Sequence, residues 1–133
     1  MDLYERNYMM MRCLVPVMPV TGFDGVSRMD GATDLHLRVS ERFRFTSEVM
    51  LTYRFERDGE IVCEPDLRVR VYHDARLAEV MTAHPRHAPA FDLEGDAAGG
   101  RVCERWRVNR FLFKWLGYCL RQGHGFRPPP PGG

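Results

Sequence analysis

The chain has 133 residues, of which 44% are hydrophobic and 28% are charged, and its formal net charge at pH 7 is +1. A chain of this length buries roughly two thirds of the surface of its unfolded form, so one domain can fold without a disulfide or a metal. The near-neutral charge excludes a global attraction to nucleic acid or acidic membranes. Any electrostatic function must therefore come from a local patch.

The chain opens with a predicted amphipathic helix, whose apolar residues recur every three or four positions until Pro16 stops it. This stripe contains Tyr4, Tyr8, Met11 and Leu14 or Val15. Residues 16–33 hold two prolines and three glycines, which predicts a loop.

From Asp34 the hydrophobic period changes to two, which predicts strands. The segment SERFRFTSE holds the turn between the first two strands, and the Asp58-Gly59 pair predicts the next turn. Alternation of apolar and polar residues favours an antiparallel sheet with one covered face. The alternating apolar positions are Leu35, Leu37, Val39, Val49, Leu51, Tyr53, Phe55, Leu67, Val69 and Val71.

Residues 84–100 have loop composition, and the clearest helix of the chain follows them. Gly123 stands where a left-handed helix cap belongs. The apolar stripe of this helix consists of Val108, Phe111, Leu112, Trp115, Leu116, Cys119 and Leu120.

The fold class predicted from this order is α+β. We expect an antiparallel β-sheet of about four to five strands, flanked by the N-terminal helix and covered by the C-terminal helix. Residues 1–125 are predicted to form this single domain, and the proline- and glycine-rich residues 126–133 a disordered tail.

The stretch VYHDARLAEV, residues 71–80, predicts a hairpin with Asp74 and Ala75 at its tip. Residues whose numbers sum to 149 then face each other, which places Arg70 opposite Glu79 as a cross-strand ion pair. The apolar pairs on the covered face are Val71 with Ala78 and Val69 with Val80. Because Asp-Ala lacks the glycine that two-residue turns prefer, a longer loop with a shifted register stays open.

The same stretch offers a candidate catalytic set. His73 could act as a general base oriented by Asp74, with Glu79 or Arg70 completing the site. Neighbours in a strand point to opposite faces, so His73 and Asp74 could cooperate only at a turn. We favour the structural turn over the catalytic pair, and a non-enzymatic protein over an enzyme.

Two surfaces are candidates for ligand or partner binding. One is the polar face of the sheet, with Arg68, Arg70 and Tyr72. The other is the basic stripe of the C-terminal helix, where a solvated helix face is the alternative interpretation. The stripe consists of Arg107, Arg110, Lys114, Tyr118 and Arg121.

The remaining polar residues indicate no metal site and no cofactor. His36, His84, His87 and His124 lack ligand spacing, and the four cysteines form no CxxC pair. We find no targeting signal and no membrane span, so we expect a cytoplasmic protein with reduced thiols and with Cys119 in the core.

Three hypotheses for function follow. The first is a binding or regulatory protein that contacts a protein partner or a small anionic ligand. The second is a hydrolase-like acid-base catalyst that uses His73 and Asp74. The third and weakest is nucleic-acid binding through the basic stripe, since the low net charge disfavours nucleic acid as a partner. The oligomeric state stays open.

Three segments together resemble the YqiB-like family of small bacterial proteins, a domain of unknown function. They are YERNYMMMRCLVP, RVYHDARLAEV and NRFLFKWLGYCLRQGHG, and the resemblance runs from Tyr4 to about Gly123. Members usually have a further stretch before the first segment, which points to an internal methionine at Met1, and the proline tail has no counterpart. The resemblance implies a cytoplasmic bacterial protein and carries over no functional residue. Its most specific residues are Tyr72, His73, Asp74, Ala75, Ala78, Glu79, Val80, Asn109, Phe111, Leu112, Trp115, Leu116, Tyr118, Cys119 and Leu120.

Overall fold

A computed structural model describes residues 2–83, 91–92 and 102–126. Helix α1 comes first, six strands follow, and helix α2 comes last. The strands form one antiparallel sheet in the order β1-β2-β3-β4-β5-β6, so neighbours in sequence are neighbours in space. This arrangement confirms the predicted α+β class. The elements are α1 Leu3–Leu14, β1 Asp24–Ser27, β2 Asp34–Arg42, β3 Thr46–Arg57, β4 Glu60–Tyr72, β5 Leu77–Ala83, β6 Phe91–Asp92 and α2 Val102–Arg121.

Two short strands lie in segments that were predicted to be loops. Residues 24–27 form β1 and pair with β2, so the loop prediction for 16–33 is wrong at these positions. A strand of four residues with two exposed side chains is too short to show a clear hydrophobic period. Strand β6 is a pair of residues within the predicted loop 84–100, and the other residues of that loop up to 100 lie outside the described ranges, as does the tail from 127 onward.

One face of the sheet is covered by both helices, and a single cluster of buried apolar side chains fills the space between the layers. From the sheet, the alternating residues of β2, β3, β4 and β5 enter this cluster, as the period of two predicts. Truncating one of the fully buried leucines to alanine would cost about 2–5 kcal/mol. The helical members of the cluster are Tyr8, Met11, Leu14, Val108, Leu112, Trp115, Leu116 and Cys119.

The helix ends follow the signals in the sequence. Asp2 caps α1 by accepting a hydrogen bond from the Glu5 N–H at 2.9 Å. At the end of α2, Gly123 has φ 95°, its N–H donates to the Leu120 carbonyl, and the His124 N–H donates to the Cys119 carbonyl. This pair of bonds is a Schellman motif, which confirms the predicted cap.

The β4–β5 hairpin has the predicted register. Val69 faces Val80, Arg70 faces Glu79 and Val71 faces Ala78. Tyr72 also pairs with Leu77, so residues 73–76 form a four-residue loop. The loop is thus longer than two residues, but the register of the strands is the predicted one. The residue with the left-handed backbone that closes the loop is Arg76, with φ 59°.

The segment after α2 returns to the end of α1. The buried His124 ring bonds the Ser27 hydroxyl at 2.9 Å through Nδ1 and the Thr33 carbonyl at 2.9 Å through Nε2. The N–H of Phe126, the first residue of the predicted tail, donates to the Leu14 carbonyl at 2.8 Å, and its ring packs against the core. His124 therefore ties the C-terminal segment to β1 and to the residues before β2.

Candidate functional site

A cleft of about 300 Å³ lies where the end of α1 meets the turn between β2 and β3 and the end of β4. We call it the α1–turn cleft. Its wall is made of seven apolar residues and four cationic or titratable ones, and none of the described residues that line it is acidic. The apolar residues are Met11, Val15, Pro16, Val17, Met18, Phe43 and Val71, and the polar ones are Arg12, Arg42, Arg44 and His73.

The turn 43–45 is held in place by backbone hydrogen bonds. The Phe43 N–H donates to the Thr46 carbonyl at 2.7 Å, and the His73 N–H donates to the Phe45 carbonyl at 2.7 Å. The second bond continues the β3–β4 ladder one residue beyond its last pair, Thr46 with Tyr72. The turn is thereby fixed to the hairpin loop, and both phenylalanine rings stand in solvent, 60% and 50% exposed.

The arginines reach the cleft from separate parts of the chain. Arg12 lies in the last turn of α1, where the helix dipole favours a cation, and its Nη1 donates to the Tyr8 hydroxyl at 3.1 Å. Arg42 ends β2, and the guanidinium of Arg44 lies 5.0 Å from the ring centre of Phe45. The fold thus brings three arginines to the wall of one opening, and none of the described residues that line it is acidic.

His73 lines this opening, and its surroundings favour the neutral imidazole. Its Nε2 shares a hydrogen bond with the Ser47 hydroxyl at 2.8 Å, and Ser47 is fully buried. Burial, assisted by the positive charges of Arg42 and Arg12, lowers the pKa of His73, while Asp74 acts weakly in the opposite direction. An anion placed among the arginines would oppose the contribution of Arg42 and Arg12 and leave the effect of burial in place.

The proposed catalytic residues do not share a site. The Asp74 carboxylate is exposed and accepts a hydrogen bond from the Ala75 N–H at 2.9 Å. Glu79 lies opposite Arg70 in the register of β4 and β5, whereas His73 lines the cleft beside α1. Ser47 is the hydroxyl beside His73, but its full burial closes it to a substrate.

The polar sheet face carries a network of paired side chains. Nε of Arg70 donates to Oε1 of Glu48 at 2.9 Å, and the Tyr72 hydroxyl donates to Glu79 at 2.7 Å. Burial is the main cause that raises the pKa of Tyr72, which keeps its hydroxyl protonated as a donor. Arg68 lies on the same face and pairs in register with Met50. These contacts use the polar groups of Arg70 and Tyr72 within the sheet itself.

The basic stripe of α2 is exposed as predicted, and it contains more aromatic surface than the sequence indicated. Trp106 is 52% exposed, with the Arg110 guanidinium 5.1 Å from its ring centre. Phe111 is 43% exposed and stacks on Trp115, so its assignment to the buried stripe is wrong. With 3.6 residues per turn, both side chains project on the same side of α2 as the stripe. Its members Arg107, Arg110, Lys114, Tyr118 and Arg121 are all exposed.

Cys119 is a core residue, as predicted. It is fully buried, its thiol donates to the Tyr53 hydroxyl at 3.2 Å, and burial raises its pKa to about 11. A thiol with this pKa is protonated at neutral pH and is a poor nucleophile.

Within residues 2–83, 91–92 and 102–126, no three histidine, cysteine or acidic side chains converge as metal ligands. In the same ranges neither helix is long and apolar enough for a bilayer.

Sequence reasoning missed most of the α1–turn cleft. Arg42 and Arg44 alternate with Phe43 and Phe45 in SERFRFTSE, and Arg12 interrupts an apolar stretch. Both of these patterns are visible in the sequence. That they meet depends on where α1 crosses the sheet, which is a tertiary property.

The chain was compared with known proteins. The family model described as "Protein of unknown function (DUF1249)" matches residues 10–125. The proteins named "Uncharacterized protein YqiB" from Escherichia coli strain K12 and from Escherichia coli O157:H7 are each 30% identical over 128 residues, which cover 92% of this chain and 87% of theirs. No solved structure matches. The chain therefore belongs to the DUF1249 family, in agreement with its resemblance to YqiB-like proteins.

Proposed function

We propose that this protein is a binding protein for a small anionic ligand, and that the ligand occupies the α1–turn cleft. The observation that carries the proposal is the convergence of Arg12, Arg42 and Arg44 on one opening whose described lining residues include no acid. Guanidinium groups are well suited to carboxylate and phosphate because their donors form a planar fork.

The electrostatics of His73 support the same proposal. Burial is the main cause that lowers its pKa, and the positive charges of Arg42 and Arg12, which add to this effect, are charges that a bound anion would oppose. The other candidate surfaces are less suited to a small anion. Arg70 on the sheet is engaged by Glu48, and the members of the α2 stripe are exposed on one helix face.

The test is a thermal-shift titration with inorganic phosphate at constant ionic strength. A ligand that binds only the folded state raises the melting temperature. The variant is the double substitution Arg42→Gln with Arg44→Gln, since both residues are exposed and their loss leaves the core intact. The matched control is Arg38→Gln with Arg57→Gln, which removes the same charge from exposed positions outside the cleft.

We expect phosphate to stabilise the wild type and the control variant and to lose most of this effect in the Arg42/Arg44 variant. Equal stabilisation of all three proteins would show non-specific ion binding. No stabilisation of the wild type would count against the proposal.

A second candidate function is binding of single-stranded nucleic acid through the α2 stripe. The observation that favours it is the exposure of Trp106 and Phe111 beside four cationic side chains, since bases stack on aromatic rings while phosphates pair with cations. Fluorescence anisotropy with a labelled oligothymidylate should then show binding that weakens steeply with salt and is reduced by Trp106→Ala. Absence of binding at low salt would remove this candidate.

A further inference from the structure

We infer that the ligand of the α1–turn cleft is amphiphilic: a monoanionic or dianionic head group, of the phosphate or carboxylate type, joined to a short apolar body. This inference rests on the proposed function, because it names the chemical class of ligand for the same site. The cleft volume of about 300 Å³ is at the lower end of the range for small-molecule pockets. A bare phosphate ion would leave most of that space to water.

The chemistry of the wall is divided in two. The arginines and His73 supply the polar part, while the apolar part comes from the end of α1, the following loop and the floor of the sheet. Met11, Val15 and Val71 are each only 2% exposed, so this part of the wall is continuous with the hydrophobic core. An entirely polar ligand would lose its hydration on contact with these side chains, and they offer no hydrogen bonds in return.

The mouth of the cleft carries apolar side chains that the fold itself leaves unburied. Val17 and Phe43 are each 60% exposed, and they stand on the loop and the turn that flank the opening. While these two side chains stay in water, they contribute no hydrophobic burial to the stability of the protein without its ligand. Contact with an apolar ligand would remove them from water, which accounts for their position beside the arginines.

The affinity for a homologous series of alkyl monophosphates tests the inference. Ethyl, butyl, hexyl and octyl phosphate share one head group, and each methylene that enters an apolar site is expected to raise affinity about fourfold. Isothermal titration of the full chain should show the dissociation constant falling along the series until the cleft is filled, with inorganic phosphate as the reference.

Two matched pairs of variants locate the effect. Val17→Ser and Phe43→Ser should flatten the dependence of the affinity on chain length. Val20→Ser and Ile61→Ser are the controls, since both side chains are exposed but do not line the cleft. They should behave as the wild type. All four positions are at least half exposed, so the fold should tolerate these changes.

The two proposals fail in different ways. If inorganic phosphate binds and octyl phosphate binds no more tightly, the ligand is a simple anion, and this inference is wrong while the proposed function stands. If chain length raises affinity equally in the variants and the controls, the apolar contact is elsewhere, which also overturns the inference. If neither phosphate nor any alkyl phosphate binds, the proposed function fails first.

Discussion

At the scale of single residues, His73 is the group whose surroundings are most informative. Its ring bonds the buried hydroxyl of Ser47, and its pKa is lowered by burial and by Arg42 and Arg12. A histidine held neutral in this way contributes stability that depends on pH. The contribution is present above the ordinary pKa of about 6.5, where the unfolded chain is also neutral.

We predict that the stability advantage of the wild type over His73→Asn shrinks as the pH falls. Between the lowered pKa of the folded protein and about 6.5, the unfolded state binds more protons than the folded state, so acidification favours unfolding. Urea unfolding of both proteins at pH 8 and pH 5 measures the difference. His36, whose pKa is also lowered by partial burial and by Arg54, is common to both proteins and cancels. An advantage that stays constant or grows at pH 5 would contradict the assignment of a lowered pKa.

At the scale of elements, Asn109 of α2 connects the helix layer to the edge of the sheet. Its Oδ1 accepts the Val80 N–H of β5 at 2.8 Å, and its Nδ2 donates to the Arg105 carbonyl at 2.9 Å. Asn7 of α1 in turn donates to the Asn109 carbonyl at 3.2 Å. The fully buried side chain of Asn109 thus accepts a hydrogen bond from a β5 amide at the edge of the sheet. Among the described residues, the short β6 does not extend along β5 to this position, and the amide would otherwise have no partner.

We predict that Asn109→Ala lowers the free energy of unfolding by about 2–3 kcal/mol, because it leaves a buried amide without an acceptor and removes packed volume. The same change should accelerate hydrogen exchange of the Val80 amide far more than that of Val49, which lies inside β3, two strands from β5 in the sheet order. The nearby replacement Arg110→Ala, on the exposed side of α2, is the control and should alter neither quantity appreciably. Unchanged Val80 exchange in Asn109→Ala would show that the side chain does not protect this amide.

Elements with a local signal were predictable, and contacts between distant segments were not. The register of β4 and β5 followed from the residues on either side of one turn, because a period of two leaves few ways to bury Val69, Val71, Ala78 and Val80 together. Strand β1 was missed since its four residues show no such period. The role of Asn109 was equally hidden, as its partner Val80 is 29 positions away.

At the scale of the whole molecule, the fold separates its charges by surface. Acidic and basic side chains pair on the polar sheet face, whereas three arginines and His73 line the α1–turn cleft and no acid is among its described lining residues. A net charge of +1 conceals this separation. The candidate site was therefore only partly foreseeable: His73 was singled out from sequence, but Arg12, Arg42 and Arg44 became its neighbours only through the packing of α1 on the sheet.

The most direct test of this account is to map bound phosphate by two-dimensional ¹H–¹⁵N NMR, titrating labelled protein at constant ionic strength. We expect the amides of residues 12–15, 17–18, 42–45 and 71–74 to shift together in a saturable way, accompanied by the ring nitrogens of His73, while the amides of residues 107–121 stay in place. Saturable shifts confined to α2, or no saturable shift at all, would contradict the assignment of the α1–turn cleft as an anion site.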